Sequence, residues 1–190
     1  MKTIVISGKS GSGKSYIANL LAKKLNCKVF DLDQISHQTL TLENVKDFVR
    51  RTFSAEVFEN DTIITKKLGK IAFFESEKLN QLNNLCHEEM VKIIDKKLTE
   101  LDDEYVILDY LLLPKMKYFK TAFFKILIKT DDVVRKNRIL SRDNISSEYF
   151  DARESNSITF NDNDFDFVAD GSSNIDIDKL TKQIVKKSQK

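Results

Sequence analysis

The residues Gly8–Lys9–Ser10–Gly11–Ser12–Gly13–Lys14–Ser15 fit the spacing G-x-x-x-x-G-K-[ST] at every position. The chain has only five glycines, and three of them, Gly8, Gly11 and Gly13, fall within this short stretch. Glycines let backbone N–H groups turn inward and approach an anion closely. Lys14 supplies a point charge suited to β- and γ-phosphate oxygens, and the Ser15 hydroxyl is a ligand for Mg²⁺. A helix beginning here, at Ser15, would aim its positive end at the same anion. The pattern predicts a nucleotide-binding phosphate loop.

Binding does not settle the reaction. A GTPase switch needs D-x-x-G, yet the residues three before Gly69 and Gly171 are Lys66 and Val168, and no Asn-Lys dipeptide is present for guanine. A small-molecule kinase needs a base at the acceptor hydroxyl and cations over the moving phosphoryl group. "FDLDQISH" offers Asp31 and Asp33, expected at the end of a second strand where period two puts them on one face. The cations are expected from arginine, whose planar fork grips phosphate bidentately. There are six arginines against 25 lysines, and Arg135, Arg138, Arg142 and Arg153 are clustered. The first three recur at i, i+3, i+7, hence on one helix face. Asp109 closes the apolar run "YVILD", a position suited to a carboxylate holding hydrated Mg²⁺. His37 and His87 fit either a structural or a binding role.

The elements that must position these groups alternate. Thr3–Ser7, "CKVFDLD", "EYVILD", "AFFKILIK" and "FDFVAD" read as strands. Helical spacing is expected over Ser15–Leu25, Asp131–Ser141 and "IDKLTKQIVKK", with a short helix around Arg153. Residues 42–101 read as strand-free helix, with Ser76 as an N-cap. Alternation predicts a three-layer α/β fold of P-loop NTPase type with a parallel sheet. The whole chain, 1–190, is expected to be one kinase domain, with a helical substrate lobe at 42–101 and an arginine-bearing lid at 138–157.

With a net charge of +2, bulk polyanion binding is not indicated, so nucleic acid is not an expected partner. Cys27 and Cys86 lack metal-ligand spacing and read as structural thiols of a reducing compartment. The apolar stretches are each broken by charge and fall short of a membrane span or signal segment. A cytoplasmic protein without a membrane partner is expected.

Taken in series, "GKSGSGKS", "DLDQISH", "LGKIAFFESEKLNQLNNLCHEEM", "VILDYLLLP", "RILSRDNISSEYFDAR" and "FDFVADGSSNIDIDKLTKQI" resemble the dephospho-CoA kinase family from Ile4 to Ile184. The resemblance implies ATP-dependent, Mg²⁺-assisted phosphorylation of the ribose 3′-hydroxyl of dephospho-CoA. It implies Asp33 as the base, Arg138 and Arg142 at the ATP phosphates, and His87 helping to shape the substrate lobe; Asp33, His37, His87, Asp109 and Arg153 are the expected substrate-binding residues. Lys14 and Arg142 would serve transfer with Asp33, and Gly8, Gly11, Ser12, Gly13, Lys14, Ser15 and Tyr16 would hold the nucleotide with Arg138 and Arg142. Against the family pattern, Lys9 stands for a second glycine, Tyr16 for a threonine, and Glu88, Leu111 and Lys115 replace usual residues. Two rivals stay open: another nucleoside or nucleotide kinase, and a P-loop protein that binds ATP without transferring phosphate.

Overall fold

The computed structural model describes all residues except Phe73, Phe74, Asn156 and Lys190, with the side chains of residues 70, 72, 76, 149, 152, 153 and 155 also outside the description. The chain divides into two compact units, Met1–Asp31 with Asp102–Lys190, and Leu32–Leu101.

The first unit is built on a five-stranded parallel sheet of order β2-β5-β1-β6-β7. Its strands are β1 (Lys2–Ser7), β2 (Lys28–Asp31), β5 (Tyr105–Asp109), β6 (Phe124–Lys129) and β7 (Phe167–Asp170). All five expected strands are present. The apolar runs are near-continuous because both faces are covered. Helices α1 (Lys14–Leu25) and α9 (Ile177–Ser188) pack together on one face. Ile17, Ala18, Leu21, Leu180 and Ile184 meet Ile4, Ile6, Ile107, Ile126 and Ile128 there in one core. The short helix α6 (Lys117–Thr121) and the turn before it pack on β1 from elsewhere, burying Leu113 and Met116. Burial of each such side chain stabilises by about 1.5–3 kcal/mol.

The strand order fixes where a ligand goes. The chain leaves β1 toward β2 on one side of the sheet, and β6 and β7 lie on the other. The crevice at the carboxyl end of β1 is therefore a topological switch point, where open parallel sheets bind ligands. The register carries Asp31 beside Asp109, and Asp109 beside Ile6, at that same edge.

In the second unit, α2 (Leu32–Thr39), α3 (Glu43–Thr52) and α4 (Thr65–Ala72) each pack on the long α5 (Ser76–Thr99). Val45, Val49, Phe53, Val57, Ile63, Leu68 and Leu82 form its core. Two expectations are corrected here. Residues 42–101 are not strand-free: β3 (Phe58–Glu59) and β4 (Thr62–Ile63) form a small antiparallel hairpin. Its turn is Asn60–Asp61, both left-handed, the backbone such a tight hairpin requires. The N-cap of α5 is Glu75 rather than Ser76. The unit also starts at Leu32 because Leu32, Ile35 and Thr39, at helical spacing, are the buried face of α2.

Candidate active site

The phosphate loop is shaped from its own backbone outward. Ser12 donates its amide to the Lys9 carbonyl at 3.1 Å, which turns the chain. Gly13 then takes φ 93° and caps α1, a left-handed conformation that favours glycine. Because α1 starts at Lys14, the helix presents its free N–H groups and positive end toward the loop. At the far end, Lys23 and Lys24 complement the negative pole. Gly8 and Gly11 complete the loop, and Ser12, 1% exposed, contributes backbone rather than an open side chain.

A segment far from the loop in sequence braces it. Gly171 follows β7, and a Cβ there would lie 2.1 Å from the Ser12 carbonyl oxygen and 2.5 Å from Thr130 Oγ1. No other residue fits that approach. Thr130 donates its hydroxyl to the same Ser12 carbonyl at 2.9 Å. Glycine's scarcity in this chain was the available signal for Gly171; Thr130 carried none.

Helix α7 (Asp132–Asp143) carries the arginines. It begins on Asp131, whose carboxylate accepts from the amides of Val133 and Val134, and ends on Asn144 in the left-handed region. The three arginines do not share one role. Arg135 is 1% exposed; its guanidinium donates to the Ser10 carbonyl at 2.8 Å and to Asp132, and pairs with Glu154 at 2.8 Å. That corrects the expectation of three phosphate-facing arginines, because Arg135 is buried and its guanidinium is engaged by the Ser10 carbonyl and by the carboxylates of Asp132 and Glu154. Arg138 donates to the carbonyls of Gly11 and Gly171, each at 3.1 Å, and so ties the loop to the 171–175 segment. Arg142 is exposed and forks onto its chain neighbour Asp143.

Lys14, Ser15, Tyr16, Gly11 and Gly13 line a cavity of about 270 Å³ together with Arg138, Ile139 and Arg142. The structure thus brings Arg138 and Arg142 to the same cavity as the loop residues. A larger cavity of about 460 Å³ opens beside it, lined by Gly13, Tyr16, Ile17, Leu20, Arg138 and residues Gly171 to Ile175. Leu20 is a wall residue outside every motif, and the 172–175 run lies within the block "FDFVADGSSNIDIDKLTKQI", where the resemblance assigns it no role.

Lys9 does not add free charge to the loop. Its ammonium pairs with Glu154 on α8 (Ser147–Ser155), and it lines a different cavity, with Arg135 and Thr130. Burial alone would raise the Glu154 carboxyl, but the hydrogen bonds and charges of Arg135 and Lys9 outweigh it and hold the group below its ordinary value. Arg153 lies on α8 with its side chain outside the described residues.

The acidic candidates separate. Asp109 is 2% exposed at the end of β5. Asp31 ends β2, whereas Asp33 lies in the first turn of α2, so the two do not share a strand face as period two suggested. The strand stops because Leu32 begins a helical burial pattern. Asp33 and His37 are exposed at i, i+4 on α2, and His87 is exposed on α5, the helix α2 packs against. Burial pushes the Cys27 thiol up to about 11 and also raises that of Cys86, so neither is a ready nucleophile. Among the described residues no group of His, Cys, Asp and Glu is arranged to hold a metal by itself, and no helix is long and apolar enough to cross a membrane.

A phosphate loop after the central strand of a parallel sheet, faced by arginines from a later helix, defines a kinase of the P-loop class. The comparison with known proteins narrows this. The family described as dephospho-CoA kinase matches residues 2–166. Dephospho-CoA kinase of Fusobacterium nucleatum is 31% identical over 146 residues, covering 76% of this chain and 75% of its own. That of Aquifex aeolicus is 31% identical over 156 residues, covering 80% and 79%. The chain belongs to the dephospho-CoA kinase family. In fold it is similar to a solved Thermus thermophilus protein, with a TM-score of 0.80 at 22% identity over 97% of this chain and 96% of that one. It is likewise similar to dephospho-CoA kinase from Campylobacter jejuni, with a TM-score of 0.65 at 22% identity over 100% and 96%.

Proposed function

We propose that the protein transfers the γ-phosphoryl group of ATP to the ribose 3′-hydroxyl of dephospho-CoA, giving coenzyme A and ADP. The observation that carries this is the single cavity in which Lys14 and Ser15 of the loop meet Arg138 and Arg142 of α7, in a chain of this family. Loop amides and Lys14 hold the β- and γ-phosphates. Arg142, exposed at the wall of the same cavity, turns onto the transferring group. Asp33 takes the proton of the attacking hydroxyl, and the face it shares with His37 belongs to the acceptor side, with His87 and Arg153.

The donor set fits Mg²⁺ shared with phosphate. Ser15 offers a hydroxyl at the cavity wall and Asp109 a buried carboxylate at the sheet edge. Mg²⁺ keeps waters and phosphate oxygens as its other ligands, so no protein cage is required. Bound there, it would neutralise charge on the β- and γ-oxygens. Residues 32–101 serve as the acceptor lobe, and 138–157 as the lid. A soluble small-molecule enzyme of the cytoplasm is the setting this chemistry suits.

The test is ADP release from ATP and Mg²⁺ with dephospho-CoA, with plain nucleosides, or with no acceptor. Release stimulated by dephospho-CoA supports the reading. Stimulation by nucleosides instead, or none by any acceptor, rejects it in favour of another kinase or a non-transferring binder.

A further inference from the structure

Tyr16 is conspicuous because its ring has no place in the core. It is 68% exposed, whereas Tyr105, Tyr110 and Tyr118 are 6%, 8% and 6% exposed. It stands in the first turn of α1, directly after Lys14 and Ser15. It lines both cavities beside the loop, the one holding Lys14 and Ser15 and the larger one reaching Asn174 and Ile175. Gly13 and Arg138 are the other residues common to both walls.

That placement is at a junction. Phosphates held by Lys14 and Ser15 occupy the smaller cavity, and whatever the phosphate chain carries must leave past residue 16. The larger cavity, about 460 Å³, lies within the ~300–1,000 Å³ of ordinary small-molecule pockets. Its wall is mixed: Ile17, Leu20 and Ile175 are apolar, and Ser172, Ser173 and Asn174 carry hydrogen-bonding groups. This is the composition a nucleoside needs, an apolar surface for the ring and a few polar groups for its edge. Arg138 donates to the carbonyls of Gly11 and Gly171, which places its guanidinium at the junction. The exposed aromatic face at the junction belongs to Tyr16.

We propose that Tyr16 sets nucleoside affinity, its ring covering the ribose and base of the nucleoside triphosphate where the two cavities meet. The proposal rests on the reading that ATP phosphates occupy the loop. Stacking on an aromatic face is strong for any purine and blind to its edge. Tyr16 therefore favours purine over pyrimidine triphosphates, and reading of the base edge falls to the 172–174 segment. The phenol hydroxyl is not needed for this, and the flat ring is.

Calorimetric titration of wild type, Tyr16→Phe, Tyr16→Ser and Tyr16→Leu with ATP, CTP and inorganic tripolyphosphate, all with Mg²⁺, tests it. Tyr16→Ser and Tyr16→Leu should each bind ATP roughly tenfold or more weakly, the scale of one lost base–aromatic stack. Their affinity for tripolyphosphate, which has no nucleoside, should be unchanged, and their loss on CTP should be smaller. Tyr16→Phe should bind ATP like wild type. Unchanged ATP binding by Tyr16→Ser and Tyr16→Leu overturns the proposal. So does equal loss on ATP and tripolyphosphate, which would mean a damaged loop. Wild type that binds neither compound overturns the ATP reading itself. Because the side chain is exposed, these variants keep the fold, and Tyr16→Leu retains bulk and helix propensity should serine loosen the first turn.

Discussion

Arg135, Arg138 and Arg142 show what spacing does and does not determine. The interval i, i+3, i+7 was enough to put them on one face of α7. It could not say that α8 covers one end of that face, so that Arg135 is buried against Glu154 while Arg142 stays in water. The two should respond oppositely to lysine. Arg135→Lys loses the planar fork that serves Ser10, Asp132 and Glu154 together, and the melting temperature should fall by several degrees, as for the loss of roughly 1.5–3 kcal/mol of charged hydrogen bonding. Arg142→Lys should leave melting unchanged, because an exposed pair contributes about 0–1 kcal/mol, yet lower kcat for transfer. Thermal melts with steady-state kinetics on both variants check this; the reverse pattern would exchange their roles. The acids are the second case. Asp33→Asn should leave ATP affinity intact and slow transfer by ~10²–10⁴, the worth of a general base. Asp31→Asn, at the sheet edge in register with Asp109, should cost much less. Equal losses in the two would mean that the base is misassigned. The motif residues were legible because phosphate chemistry demands them in sequence order. Thr130 was not, and Gly171 was marked only by glycine's scarcity, since both act on the loop through space.

At the level of elements, strands were read correctly because a sheet covered on both faces writes near-continuous apolar runs. The β3–β4 hairpin escaped because its strands are too short for any periodicity, and its turn, Asn60–Asp61, carries no glycine. The first residues of α2, Leu32 and Asp33, extend the apolar pattern of "CKVFDLD", so sequence alone carries the second strand two residues too far. The docking of α8 was equally hidden. It depends on Phe150 buried beneath Arg135 and Lys136, on Lys136 paired with Asp151 at 2.7 Å, and on Glu154 bridging Arg135 and Lys9. Glu154 makes that docking acid-sensitive. Its carboxyl is held below the ordinary value in the folded chain, so its contribution is present above the unfolded value of about 4.3 and is lost as pH falls through the folded one. Amide protection factors over 147–155, taken relative to the intrinsic exchange rate at each pH, should fall in acid before those of the sheet do. Glu154→Gln should show faster exchange there at pH 7 and a flatter acid dependence. Identical acid profiles for variant and wild type would place the sensitivity in other carboxylates.

The whole molecule divides its labour if the two compact units have separate ligands. The sheet unit contains the phosphate loop, both cavities beside it and the arginines of α7. The 32–101 unit has its own core, with Asp33, His37 and His87 exposed on its helices. A ligand that binds the folded state stabilises whatever unit it holds, by about 2.7 kcal/mol at a hundredfold excess over its Kd. Local opening is governed by local stability, so protection from exchange reports which unit has gained it. ATP with Mg²⁺ should therefore protect amides of the loop, the start of α1 and residues 171–175. Dephospho-CoA should protect amides of α2 and α5. The contrast is read from hydrogen exchange of the intact chain with each ligand separately and then together, with Lys14→Ala as the control that loses the ATP pattern alone. Removing that ammonium costs roughly 1.5–3 kcal/mol of charge-assisted contact, enough to lower ATP occupancy without touching the other unit. Dephospho-CoA protection that appears only in the sheet unit would show that residues 32–101 are not the acceptor lobe. Protection of both units by ATP alone would show that the two are coupled before any acceptor arrives, and that their ligands are not separate.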